Sequence, residues 1–126
     1  MRKWIDIGAQ ALLGLVFFVF GLNGFLGFLP LPELPEPAGR FLGALAETGY
    51  LLYLVKGIEV VAGFLLLIRK FSALALLLLA PGVVNIFLFH AFLAPGGLPL
   101  AILVVLLEAY LGFVVHFDRF RSVFRP

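Results

Sequence analysis

The chain contains no cysteine. Disulfides, thiolate metal ligands and thiol-based electron transfer are therefore excluded in any compartment. Histidine is nearly as scarce: His90 and His116 are the only two, too few for a zinc-like cluster and not spaced to hold a haem within a bundle. No nucleophile and base set is visible either, so no catalytic residue and no metal ligand is assigned. Charge is also sparse, at 13% of residues, where about 25% is usual. The basic residues lie in ones and twos rather than in a stripe, which argues against a nucleic-acid partner despite the net charge of +2.

What fills the chain instead is apolar. Hydrophobic residues make up 63%, against about 45–50% in soluble domains, more than a water-soluble domain of this size can hide. A length of 126 residues leaves room for one domain, residues 1–126. The expected class is an all-α integral membrane protein whose solvent is the lipid bilayer.

Four runs suffice to cross a hydrocarbon core of about 30 Å, which takes roughly 20 helical residues. They cover residues 5–29, 50–68, 71–92 and 98–117. Each spanning backbone must satisfy its own hydrogen bonds, and the period-two alternation of a membrane barrel is absent, so a four-helix bundle is expected. Residues 30–37, "PLPELPEP", read as an extended acidic loop. Next, "GRFLGALAETG" places Phe41, Leu42 and Leu45 on one side and reads as a short interfacial amphipathic helix between the first two spans. "APGG", residues 94–97, makes a tight turn between the last two spans.

The opening "MRKW" and its long apolar run read as a retained signal anchor. In a four-span topology Arg2, Lys3, Arg69, Lys70, Arg119, Arg121 and Arg125 fall on one side and only Arg40 on the other. The positive-inside rule then places both termini in the cytoplasm.

A few polar residues interrupt the spans. Counting helical rise from the outer surface puts Asn23, Lys56 and Asn85 about 9–10 Å deep, and Glu59 and Glu108 about 13–14 Å deep. They read as one polar layer able to bind a ligand or exchange a proton. Lys56, Glu59 and Gly63 follow at i, i+3, i+7 and share a helix face. Two carboxylates against one ammonium leave one over, so Lys56 is expected to pair with one glutamate while the other is neutral or hydrogen-bonded. Pro81 removes an N–H one turn before Asn85 and is expected to kink its span. His90, a weaker site candidate, reads as an interfacial histidine turned away from Asn85, and Tyr110 as a belt or packing aromatic. A plainer reading of the same layer is interhelical glue, worth on the order of 0.6–2 kcal/mol per polar contact.

The runs "FVFGLNGFLGFLPLP", "FLGALAETGYLLYLVKGIEVVAGFLLL" and "ALALLLLAPGVVNIFLFHAFLAPGG", with the tail "FRSVFRP", resemble the DoxX family of small bacterial membrane proteins across nearly the whole chain. That resemblance implies a four-helix bundle in the bacterial cytoplasmic membrane, with Glu59, Asn85 and His90 on polar family positions. Lys56 departs from the apolar residue commoner there. The resemblance implies an accessory or anchor subunit of a redox or oxidative-stress system, binding a quinone-like amphiphile, while the absence of a thiol pair, of haem-spaced histidines and of a nucleophile–base set argues against a stand-alone enzyme. Its partners would be a membrane or cytoplasmic redox protein, with a second copy of the chain also allowed. A small proton-coupled transporter working through intramembrane glutamates is the alternative.

Overall fold

The computed structural model describes residues 2–28 and 33–124, excepting the side chains of residues 2 and 124. All regular structure among them is helical: α1 Arg2–Leu26, α2 Glu36–Glu47, α3 Leu51–Ile68, α4 Ser72–Phe92, α5 Leu98–Tyr110 and α6 Phe117–Phe120. Four stretches, Lys3–Leu26, Leu51–Ile68, Ser72–Phe92 and Pro95–Val115, are long and apolar enough to cross a membrane.

Local chemistry sets the boundaries. Gly27 adopts a left-handed φ of 62°, and its N–H reaches the Asn23 carbonyl at 2.9 Å, which closes α1. The first span thus ends earlier than residue 29, itself outside the described residues, as are 30–32 of the expected loop. Glu36 and Pro37, expected in that extended loop, instead open α2. A proline in the first helical turn has no N–H bond to lose, so α2 starts before the glycine-rich stretch. Thr48 ends α2 and prepares α3: its hydroxyl donates to Leu45 O at 2.7 Å and accepts from Leu51 N–H at 2.9 Å.

α2 packs against α3 and buries Ala38, while Phe41 meets Phe89 of α4 with ring centroids 5.7 Å apart. Pro81 sits inside α4 without interrupting it. The expected single helix over 98–117 is not continuous. α5 passes into a π-helical turn, Leu111–Val115, closed by His116 N–H to Leu111 O at 2.8 Å. One residue is thereby added to a turn, which points the chain from His116 onward in a new direction.

α1 packs most extensively on α3, α3 on α4 and α4 on α5, and α5 returns to α1. Glycine makes the first seam. A Cβ on Gly63 would fall 2.5 Å from Phe18 N and 2.8 Å from Gly14 O, so two backbones lie in direct contact there. The core is a narrow axis of Leu13, Phe17, Ala62, Leu66, Leu76, Leu79, Val104 and Leu111. Outside it the usual distribution is inverted: Phe92, Phe71 and Leu106 are exposed, while Gln10, Asn23, Glu59 and Ser72 are buried. Such a surface suits hydrocarbon rather than water.

Candidate functional sites

The five residues of the expected polar layer fall in three places. Lys56 and Glu59 lie one turn apart on α3, and Lys56 Nζ donates to Glu59 Oε1 at 3.4 Å. Both face α1. A Cβ on Gly24 would lie 2.5–3.1 Å from the Lys56 Cγ, Cδ and Cε atoms, and one on Gly21 would lie 3.1 Å from the Glu59 Cβ. The missing side chains of α1 thus make the slot through which the lysine stem runs. Asn23 is buried on the same stretch of α1.

Glu108 stands apart from this pair. It lines a groove between α4 and α5 of about 300 Å³, with Leu76, Val83, Val105 and Gly112 around it and Leu77, Val84 and Phe113 on the rim. Its Oε1 is buried and has no hydrogen-bond partner among the described residues. A buried polar atom left unmatched costs about 1–3 kcal/mol, so this oxygen asks for a donor or acceptor that the described residues do not supply.

Asn85 is exposed on α4. Depth alone grouped it with Asn23 and Lys56, but its rotation about the helix axis takes it to the outside of the bundle. His90 works as a local tie. Its Nδ1 lies 3.1 Å from Ala94 O, its ring meets Phe89 edge-on with centroids 5.1 Å apart, and it covers Gly97 so closely that a Cβ there would have to displace the ring. It anchors the Pro95–Gly97 turn to the end of α4.

A second polar site, at the end carrying both termini, has no counterpart in the layer expected from sequence. Gln10 of α1, 6% exposed, donates to Leu66 O at 3.0 Å and to Ser72 Oγ at 2.8 Å. Its two amide hydrogens are then used, so Gln10 Oε1 accepts from His116 Nε2–H at 2.9 Å, which fixes the proton on Nε2 in the neutral ring. One side chain thus ties α1, α3, α4 and the segment after the π-helical turn. Tyr110 donates a short hydrogen bond to Asp6, one turn before Gln10, so it is more than a packing aromatic. Burial lowers the pKa of His116, and Arg119 adds to this while Asp6 opposes it. Asp6 and Gln10 at i, i+4 were the available signal, but nothing in the chain's order points from them to His116.

Around this knot lies a polar pocket of about 280 Å³, reached by Lys3, Arg69 and Arg119. Arg69 caps α3 with φ 60° and ψ 35°. That left-handed conformation is uncommon for a residue with a Cβ and cheap for glycine. No protein-family model, curated protein or solved structure matches the chain.

Proposed function

We propose that this chain is a DoxX-like multi-pass membrane protein that binds a quinone-like amphiphile in the α4–α5 groove and serves as an accessory or anchor subunit of a redox or oxidative-stress system. The observation that carries this reading is the unmatched Glu108 Oε1 in an otherwise apolar groove. An ionised carboxylate is expensive at this depth, so the useful form of Glu108 is the neutral acid. A neutral carboxyl can donate to a quinone carbonyl and accept from a quinol hydroxyl. The exposed Leu77, Val84 and Phe113 on the rim give an apolar tail a path along the lipid-facing surface. With no cysteine in the chain, electrons would come from a partner's cofactor, and this protein would hold the carrier.

The test is equilibrium binding of decylubiquinone to the full chain in lipid nanodiscs. Wild type should take up one equivalent, and Glu108→Leu should weaken binding at least tenfold, which is about 1.4 kcal/mol and within the worth of one buried hydrogen bond. Equal uptake by wild type and Glu108→Leu, or none by wild type, overturns the reading. The same unmatched carboxyl also suits the transporter alternative, for which the distinguishing result is substrate-driven proton flux in vesicles that Glu108→Gln abolishes.

A further inference from the structure

We infer that the pocket at the end carrying both termini is a binding site for a phosphate-bearing anion. This goes beyond the α4–α5 groove and uses none of its residues. Three cations from three parts of the chain meet here: Lys3 at the start of α1, Arg69 at the end of α3, and Arg119 in α6. None of the three makes a side-chain ion pair with a described residue. The one carboxylate in the lining, Asp6, is held by the Tyr110 hydroxyl. With His116 neutral, the pocket walls carry a net charge of +2.

The positive-inside tendency accounts for lysine and arginine at this end of the bundle but not for their arrangement. Two features of the arrangement exceed it. First, the floor is built: Gln10 and Ser72 are buried and hydrogen-bonded to one another, and Gln10 also accepts from His116, so the base of the recess is tied across α1, α4 and the segment at His116. Second, Arg69 occupies a left-handed position that glycine would fill at lower cost, so a guanidinium is kept on the rim against the backbone's preference. The start of the 21-residue helix α4 lies at the floor of the pocket, at Ser72, and adds its positive end to the field.

Convergent guanidinium groups recognise phosphate by charge and by paired N–H donors. A recess of about 280 Å³ at a span end admits a phosphodiester or a free phosphate. Basic pockets between spans on the cytoplasmic side are a known form of anionic headgroup site, so lipid and soluble phosphate are both chemically suited.

The experiment is native mass spectrometry of the full chain in detergent, with phosphatidylglycerol and phosphatidylcholine offered in equal amounts, beside a thermal-shift titration with inorganic phosphate. Wild type should retain phosphatidylglycerol at least tenfold over phosphatidylcholine if the source is lipid, or be stabilised by millimolar phosphate, but not chloride, if it is soluble. Arg69→Gly should separate binding from folding. Glycine suits the left-handed backbone, so this variant should melt no lower than wild type yet lose at least tenfold in the binding arm that responds. Arg119→Gln should lose the same, and Lys70→Gln, a neighbouring charge outside the pocket, should leave binding unchanged. No response in either arm overturns the inference, as does a response that Arg69→Gly and Arg119→Gln leave intact or that Lys70→Gln lowers equally.

Discussion

His116 shows how one residue couples protonation to folding without losing its hydrogen bond. Its Nε2–H donates to Gln10 in the neutral ring and would go on doing so in the charged one. What protonation adds is a charge in partly buried surroundings beside Arg119, only partly offset by Asp6, and this holds the folded-state pKa below the ordinary value of 6.5. The unfolded chain therefore takes up a proton first as pH falls. The stabilising contribution is complete above about pH 6.5 and is lost from there down to the lower folded-state pKa, after which the profile is flat again. The thermal midpoint of the protein in detergent is expected to fall between pH 7.5 and pH 5.5, and His116→Gln to flatten that fall. Any slope common to both proteins belongs to other groups; identical slopes would assign no part of it to His116. Lys56 and Glu59 present the contrasting case, a charge pair whose neighbours are the α1 glycines rather than a polar pocket. Removing Lys56 alone would strand the buried Glu59 carboxyl beside the half-buried site the lysine leaves.

The α1–α3 seam is the element contact on which the bundle most depends, and its geometry can be tested at a single atom. Gly63 meets the Phe18 amide nitrogen and the Gly14 carbonyl, backbone atoms that cannot swing aside as a side chain would. Gly63→Ala should force the helices apart and cost about 1–3 kcal/mol, the usual range for overpacking. Gly57→Ala on the same helix is the control, since a Cβ there has nothing within 4 Å. Unfolding in mixed detergent micelles should show a clear loss for the first and almost none for the second; equal losses would mean that the seam is looser than described. Much of this element was legible in the sequence. The sequence placed Lys56, Glu59 and Gly63 on one helix face at i, i+3, i+7, and that face is the one α3 turns to α1. The π-helical turn was not legible, because its hydrogen bond depends on how α5 settles between α1 and α4. Without it, the approach of His116 to a glutamine 106 positions away in the chain could not be read from helical periodicity. The polar layer failed to close for a related reason. Rise along a helix gives depth, but only packing gives rotation, and Asn85 and Glu108 share a depth range with the Lys56–Glu59 pair while facing elsewhere.

At the scale of the whole molecule, charge and exposure have separate orders. Around the bundle, large apolar side chains point outward and most of the buried polar groups lie between helices, as a lipid solvent requires. Along it, the ends differ in sign. Lys3, Arg69, Lys70, Arg119 and Arg121 gather at the end with both termini, whereas Glu33, Glu36 and Glu47 accompany a single Arg40 at the other. The positive end is expected to remain in the cytoplasm, because it resists transfer during insertion. A chain without cysteine allows this to be tested with no background labelling. Gly96 lies in the turn between α4 and α5, exposed and with open space where a Cβ would go. Ser122 is exposed at the opposite end, beyond α6. In intact spheroplasts a membrane-impermeant maleimide should label Gly96→Cys and leave Ser122→Cys unlabelled until the membrane is opened. The reverse pattern would invert the protein and move the phosphate-binding pocket to the outer face. Labelling of both from one side would instead show that the four apolar helices do not all cross.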